Sequence, residues 1–232
     1  MSFFREWIEC VKNGESDDYY INSFLYRSQS SIEILENASK KEIREIIDFF
    51  VQYNQKKIVD KIGQEHIKKI NASEVVQYSS FANSTSEITH ILKYETNGLT
   101  FEDLGYLLIG SKTKVAAVKY GENQAKTARV FSLVKFEDSK PIVVKNTSLG
   151  DMFPLLNENT QKKLLSILCL RDPVVINAIA YNKFKKTSIE DICSCLSSST
   201  FIRRKMNVFK LLKLALENVD DDLLGIILHE EE

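Results

Sequence analysis

The chain has 232 residues and a mass of 26.6 kDa, enough for one large domain or two small ones. Its formal net charge of −1 excludes a uniformly basic nucleic-acid-binding protein but not one with local basic surfaces. With 8 Gly and 3 Pro, the chain contains few helix breakers, so we expect a mainly α-helical fold.

No membrane span or signal peptide is predicted. No apolar run approaches the roughly 18 residues that a membrane-spanning helix needs. Glu6 and Glu9 lie where a signal peptide would have its apolar centre. We therefore expect a soluble, cytoplasmic protein.

No metal site or cofactor is predicted. The cysteines and histidines are Cys10, Cys169, Cys193, Cys195, His66, His90 and His229. Their spacing does not match paired zinc ligands, and buried, reduced thiols are the favoured interpretation over a metal site.

The charge is unevenly distributed along the chain. Residues 111–145 contain eight basic and three acidic side chains, and residues 182–213 contain eight basic and two acidic ones. The last 16 residues contain seven acids and no Lys or Arg. Two basic segments in a neutral chain indicate contact with a polyanion at defined places, the alternative being an ordinary solvated surface.

Residues 1–86 are predicted to form a helical region. Helices are expected over Phe3–Val11, most of Tyr19–Leu35 and Lys40–Ile70, the last after a capping box of Ser39 and Glu42. The third helix has an apolar stripe that is interrupted at residues 54–57, which leaves a bend or two separate helices open. The stripe is expected to pack in the core, with docking of a partner helix as the alternative. A polar, Ser-rich linker is predicted over Asn71–Ser86.

Residues 87–150 have the predicted element order of a winged helix-turn-helix. A helix starts after an N-cap at Thr100 and ends at Gly110, and a second short helix covers Asn123–Phe131. Its inner face is expected to be Ala125, Ala128 and Val130, and its outer face Gln124, Lys126, Thr127 and Arg129. Two β-like runs, Leu133–Phe136 and Pro141–Val144, would form the wing around a polar turn.

Residues 151–232 are predicted to form a second helix-turn-helix-like unit with an acidic C-terminal tail. The expected helices are Asn157–Leu170, Val174–Tyr181 after an N-cap at Asp172, a short helix capped by Thr187 and Glu190, and a basic helix over Phe201–Leu216. Ser197–Thr200 would form the turn before the basic helix. These hydroxyls and the positive end of that helix suit phosphate groups.

Two segments resemble known modules. Lys119–Ala128 (KYGENQAKTA), followed by Ser132–Val134, resembles the recognition-helix region of winged-helix modules in bacterial restriction and anti-phage proteins. Leu196–Arg204 (LSSSTFIRR) resembles the closing segment of the same modules. The resemblance covers about residues 98–216 and implies paired winged helices that bind DNA beside a separate nuclease or ATPase part. The closing helix departs from the pattern because it lacks a Trp, and the N-terminal 90 residues lie outside the resemblance.

No catalytic site is predicted. A nuclease would need clustered carboxylates with a lysine on a strand, whereas Glu137 and Asp138 lie in the predicted wing turn. Gly105, Gly110 and Gly121 are too far apart for a phosphate-binding loop. We therefore expect a protein that is not an enzyme.

The favoured function is a DNA-binding accessory subunit of a bacterial anti-phage or restriction-type complex. The predicted DNA contacts are Lys119, Tyr120, Gln124, Lys126, Arg129, Ser199, Thr200, Arg203, Arg204 and Lys205. The expected partners are double-stranded DNA and an ATPase or nuclease subunit bound through the N-terminal helices. The alternatives are a protein-interaction subunit of an SMC-like ATPase complex and a dimeric transcription regulator.

Several of these side chains have a structural alternative. Tyr120 would then anchor its helix in the core, and Arg203 and Arg204 would pair with Asp191 or with the acidic tail. A further hypothesis is that the tail, residues 217–232, mimics DNA and covers the basic helices until a partner arrives.

Overall fold

The computed structural model describes residues 2–75, 77, 81–110 and 113–229. It is mainly helical with one small antiparallel sheet, which confirms the fold class expected from the composition. Ser79 and Ser80 of the predicted linker, Lys112 of the first basic segment and residues 230–232 of the acidic tail lie outside the described residues.

The helices and strands have the following bounds. The α-helices are α1 (Phe3–Lys12), α2 (Asp18–Leu25), α3 (Gln29–Asn37), α4 (Lys40–Gln52), α5 (Gln55–Lys61), α6 (Ile88–Leu92), α7 (Phe101–Ile109), α8 (Lys114–Val130), α9 (Ser148–Met152), α10 (Glu158–Cys169), α11 (Pro173–Phe184), α12 (Ile189–Ile192), α13 (Ser198–Leu216) and α14 (Asp221–His229). The strands are β1 (Leu99–Thr100), β2 (Val134–Glu137) and β3 (Val143–Asn146). A π-helical turn spans Asn83–Glu87, and 3-10 turns span Gln64–His66 and Phe153–Leu155.

In the described part of the chain, no single helix is long and apolar enough to cross a membrane. The pair α10 and α11, bent by 69° at the break between them, meets that criterion only when the two helices are taken together.

Contacts group the chain into two compact units built from separate segments. The terminal unit contains residues 1–31, 48–76 and 162–232, and the central unit contains residues 32–47 and 77–161. Three consecutive regions were predicted from the sequence instead. The difference arises because helices near the N-terminus share a core with helices near the C-terminus, which local sequence patterns do not reveal.

An aromatic cluster forms the N-terminal part of the terminal unit's core. Trp7 is fully buried, and its ring centroid lies 5.6 Å from that of Phe24 and 5.4 Å from that of Tyr53. The buried carboxylate of Asp17 accepts hydrogen bonds from the Tyr53 hydroxyl and, at 3.4 Å, from the Trp7 indole nitrogen. The polar segment between α1 and α2 therefore supplies the hydrogen-bond acceptor that these two polar aromatic side chains need inside a core.

Buried Gln55 joins three helices of the same unit. Its Nε2 donates hydrogen bonds to the carbonyl oxygens of Ser166 on α10, at 3.0 Å, and Ala215 on α13, at 2.8 Å. Its Oε1 accepts a hydrogen bond from the Ser166 hydroxyl at 2.9 Å. Because both ends of this buried amide are satisfied, it fixes how α5, α10 and α13 meet.

The N-terminal helices differ from their predicted lengths. Most of Tyr19–Leu35 is helical, as predicted, but in two helices, because Arg27 has a left-handed φ of 53° that separates α2 from α3. The predicted helix Lys40–Ile70 ends at Lys61 and is interrupted after Gln52, so the alternative of two helices is confirmed. The apolar stripe is buried throughout, which leaves it unavailable for docking a partner helix; its members are Ile43, Ile46, Ile47, Phe50, Tyr53, Ile58 and Ile62.

The described part of the acidic tail contains the packed helix α14. Leu223, Leu224 and Ile227 of α14 are buried. The carboxylate of Asp220 pairs with Lys56, and Glu217 lies 3.7 Å from the Lys162 ammonium. Residues 217–229 are therefore held in the core by their apolar side, while the idea that the tail mimics DNA and covers the basic helices stays a hypothesis.

The central unit contains the small sheet and a pair of closely packed helices. The strands are antiparallel in the order β1-β3-β2, with Leu99 opposite Val144 and Phe136 also opposite Val144. As predicted, Thr100 caps α7, and Gly110 ends it with a left-handed φ of 60°. The backbones of α7 and α8 touch: a Cβ at Gly105 would overlap the Ala117 carbonyl, and a Cβ at Gly121 would overlap the Phe101 carbonyl.

The packing of α7 on α8 predicts that Gly121→Ala is destabilising. The added methyl group would push the helices apart, and we expect the free energy of unfolding to fall by about 1–3 kcal/mol. Urea denaturation measures the change. The control Ala116→Ser, at an exposed position of the same helix, is expected to stay within about 0.5 kcal/mol of the native chain. Equal stability of the two variants would contradict the close contact.

Asp172 is the N-cap of α11, as predicted, and it is fully buried. Its Oδ1 accepts hydrogen bonds from the backbone N–H groups of Val174, at 2.9 Å, and Val175, at 3.3 Å. Its Oδ2 is buried without a hydrogen-bond partner among the described residues. Burial raises the pKa of Asp172 to about 7, against the lowering effect of the two N–H groups and of Arg27.

The raised pKa of Asp172 predicts a pH-dependent stability difference. The unfolded carboxyl ionises near pH 3.8 and the folded one near 7, so this group's contribution to stability falls as pH rises between those values. Asp172→Asn keeps an uncharged cap at every pH. We expect the unfolding free energy of the variant, relative to the native chain, to rise by about 2 kcal/mol between pH 5 and pH 8. A pH-independent difference in urea denaturation would contradict the assignment.

Candidate nucleic-acid interface

Helix α8 carries the first group of predicted DNA contacts. It spans 17 residues, Lys114–Val130, so the short helix predicted over Asn123–Phe131 is only its C-terminal half. The helix starts earlier because the Thr113 hydroxyl caps it, accepting a hydrogen bond from the Ala116 N–H at 3.3 Å. The sequence reasoning missed this cap, although a Thr before a run of helix-forming residues could have indicated it.

The predicted outer face of α8 is wrong at two positions. Gln124 and Thr127 are fully buried, and the Gln124 side-chain oxygen accepts a hydrogen bond from Ser84 in the π-helical turn. Val130, which was predicted to face inward, is partly exposed. The buried side of α8 is wide because the helix packs against both α7 and the π-helical turn. Gln124 therefore anchors the helix and is not available to a nucleic acid.

Tyr120 is also an anchor. Its side chain is half-buried, and its hydroxyl accepts a hydrogen bond of 2.7 Å from the Asn83 amide. The structure thus supports the alternative in which this ring holds α8 in place.

Some basic side chains of α8 form ion pairs with acidic side chains, and others do not. Lys126 forms a 2.6 Å ion pair with Glu122, and Lys114 forms a 2.8 Å ion pair with Glu102 of α7, which raises the pKa of Lys114. Lys119 is exposed. Arg129 is exposed too, with its guanidinium 4.8 Å from the Phe136 ring centroid on β2.

The hairpin that follows α8 adds one more exposed cation. Strands β2 and β3 pair from Val134–Asn146 to Glu137–Val143, and Lys140 lies exposed in the connecting segment. Lys145 forms a 2.8 Å ion pair with Glu137 across the strands. Within the described ranges, Lys119, Arg129 and Lys140 are exposed and have no acidic partner at ion-pair distance, so they are the cations of α8 and the hairpin that remain available to a polyanion.

The second group of predicted contacts lies on α13 in the terminal unit. This helix begins at Ser198, which places Ser199 and Thr200 in its first turn. Arg203 folds back along its own helix, because Nε donates to the Ser199 carbonyl and Nη2 to the Thr200 hydroxyl, both at 3.2 Å. Lys205 lies 5.4 Å from the Phe209 ring centroid.

Arg204 is used inside the protein. Its Nη1 donates hydrogen bonds to the carbonyl oxygens of Ala72, at 3.0 Å, and Val75. Arg204 was predicted to contact DNA. In the structure it instead anchors residues 72–75, which follow the 3-10 turn Gln64–His66. Among the described residues no ion pair joins Arg204 to Asp191, whose carboxylate accepts a hydrogen bond from Ser188, the observed cap of α12 in place of Thr187.

The described residues do not assemble a metal site. Among them, no group of three or more His, Cys, Asp or Glu side chains is placed to hold an ion. Cys10, Cys169 and Cys193 are buried, as expected, whereas Cys195 is exposed. Burial raises the pKa of the Cys169 thiol well above its ordinary value, which disfavours a reactive thiolate there.

Comparison with known proteins supplies no relative from which a role could be transferred. No protein-family model, curated protein or solved structure matches the chain. The functional argument therefore depends on element order, exposure and charge in the two units.

The position of Gln124 predicts that its loss affects stability. Gln124→Ala removes the acceptor for the buried Ser84 hydroxyl and leaves a cavity, so we expect the unfolding free energy to fall by about 1–3 kcal/mol. The control is Lys126→Gln at the neighbouring half-exposed position, expected within about 0.5 kcal/mol of the native chain. Urea denaturation of both variants checks this. A Gln124→Ala chain of native stability would show that the side chain is not a structural anchor.

Proposed function

We propose that the chain is a cytoplasmic, non-enzymatic DNA-binding accessory protein whose central unit is a winged helix. The observation that carries the proposal is the order α6, β1, α7, α8, β2, β3, with β3 between β1 and β2 in one antiparallel sheet. A helix-turn-helix followed directly by a hairpin has this order, and its second helix is the element that enters a DNA groove. The resemblance to restriction and anti-phage modules supports the same interpretation.

The exposed residues of this unit suit DNA. Lys114, Val115 and Lys119 are exposed on the first turns of α8, and Lys140 is exposed on the hairpin. In the proposed complex α8 lies in the major groove, where Val115 would contact a thymine methyl group, while Lys119 and Lys140 contact phosphates. Arg129 would supply a further phosphate contact from the end of the helix.

The small number of available cations on α8 and the hairpin predicts weak, salt-dependent binding by these elements. Three phosphate contacts, by Lys119, Arg129 and Lys140, would give a slope of log affinity against log salt of about −3. Such binding suits a subunit that is brought to DNA by a larger complex. We therefore propose that a protein partner, an ATPase or nuclease subunit of a restriction-type or anti-phage complex, supplies the remaining affinity.

A second candidate function is supported by exposed apolar side chains on α7 and α8. Leu107 and Ile109 at the end of α7 are 57% and 48% exposed, and Val115 at the start of α8 is 73% exposed. Exposed apolar side chains on two neighbouring helices favour contact with protein. On this alternative the winged helix would be a protein-interaction module, as in accessory subunits of SMC-like ATPase complexes.

Charge reversal separates these two candidates. We expect Lys119→Glu/Lys140→Glu to weaken binding to a labelled duplex of about 30 base pairs by about tenfold or more, measured by fluorescence anisotropy at low salt. The matched control Lys210→Glu/Lys213→Glu, on α13, is expected to change affinity less than about threefold. If the native chain does not bind at about 50 mM salt, DNA binding is contradicted and the protein-interaction candidate is favoured.

A further inference from the structure

Helix α13 presents one solvent-facing stripe that mixes apolar and basic side chains. Residues 198–216 contain five basic side chains and no acidic one. Ile202 and Met206 are 71% and 61% exposed, one turn apart. Ser199, Lys210 and Lys213 are also exposed and continue the same face at helical spacing. We call these five residues, together with the neighbouring Arg203, the α13 stripe.

The helix is held rigidly from its other side. Phe201, Leu212 and Ala215 are buried at 4% exposure or less. Arg204 fastens it to the carbonyl oxygens of Ala72 and Val75, and Gln55 donates a hydrogen bond to the Ala215 carbonyl. The stripe is therefore preformed, and a ligand would not have to order it on binding.

The cations of the stripe are available to a partner. Arg203, Lys210 and Lys213 are exposed and have no acidic side chain at ion-pair distance among the residues that the structure describes. The Arg203 guanidinium is held at the edge of the stripe by Ser199 and Thr200. A fixed guanidinium and two free ammonium groups around an apolar pair favour carboxylates arranged beside apolar side chains.

We propose that the α13 stripe binds an acidic amphipathic helix of a protein partner. Ile202 and Met206 would contact the apolar side of that helix, with Met206 adapting to its shape, and the cations would pair with its Glu and Asp residues. The proposal goes beyond DNA binding by the central unit, because it uses a different unit of the chain and a different ligand.

Charge and packing favour this occupant over the others. A nucleic acid would pair with the cations, but phosphates gain nothing from the exposed apolar side chains of Ile202 and Met206. Two copies of the stripe carry like charges and would repel each other. The chain's own acidic helix α14 is already packed through Leu223, Leu224 and Ile227.

The test uses the full chain and a synthetic probe. The probe is a fluorescent helical peptide of about 18 residues with Leu on one face and Glu on the flanking positions. We expect fluorescence anisotropy to give micromolar binding. A peptide of the same composition with a scrambled order is expected to bind at least about tenfold more weakly, because its apolar and acidic groups no longer align with the stripe.

Two double variants localise the binding. Ile202→Ser/Met206→Ser and Lys210→Glu/Lys213→Glu are each expected to weaken peptide binding by about tenfold or more. All four positions are exposed, so native circular dichroism and unfolding midpoints are expected, and these measurements verify folding. The matched control Lys119→Glu/Lys140→Glu in the central unit is expected to leave peptide affinity unchanged.

Three results would overturn the proposal. Equal binding of the native and scrambled peptides would mean that charge alone is recognised. Loss of duplex binding in Lys210→Glu/Lys213→Glu would identify the stripe as a DNA surface. A homodimer in sedimentation experiments that Ile202→Ser/Met206→Ser converts to a monomer would identify it as an interface between copies. Because peptide and duplex are measured separately, failure of DNA binding by the central unit is distinguishable from failure here.

Discussion

The direct backbone contact between α7 and α8 is the constraint on which the central unit depends. Gly105 lies against the Ala117 carbonyl and Gly121 against the Phe101 carbonyl, so no side chain separates the helices where they meet. Because α8 is fixed in this way, its buried side packs against α7 and the π-helical turn. The first turns of α8 then expose Lys119, and the following hairpin exposes Lys140. Gly105 and Gly121 therefore allow the close packing that would present α8 to DNA.

The same basic and polar residue types serve two different purposes in this protein. Gln124, Tyr120 and Arg204 use their polar atoms within the chain, as anchors for α8 and for the segment at residues 72–75. Lys119 and Lys210 remain exposed and without an acidic partner among the described residues. Composition and segment charge therefore overstate the number of cations that a ligand can reach. Both basic segments nevertheless contain exposed basic side chains.

Local signals in the sequence predicted local structure well. Thr100 and Gly110 bound α7 as expected, Asp172 caps α11, and the β-like runs became a hairpin shifted by one to two residues. Features that depend on distant residues were not predictable. The burial of Gln124 depends on Ser84, 40 residues earlier, and the grouping of the two units depends on contacts between opposite ends of the chain. The break at Arg27 was missed because nothing in that stretch marks a left-handed residue.

Lysine footprinting tests the central claim most directly. The full chain is acetylated at low salt with and without a duplex of about 30 base pairs, and the modification of each lysine is measured by mass spectrometry. The account predicts that DNA protects Lys119 and Lys140 in the central unit while Lys210 and Lys213 on α13 stay reactive. Protection of Lys210 and Lys213 with unchanged reactivity at Lys119 and Lys140 would contradict it.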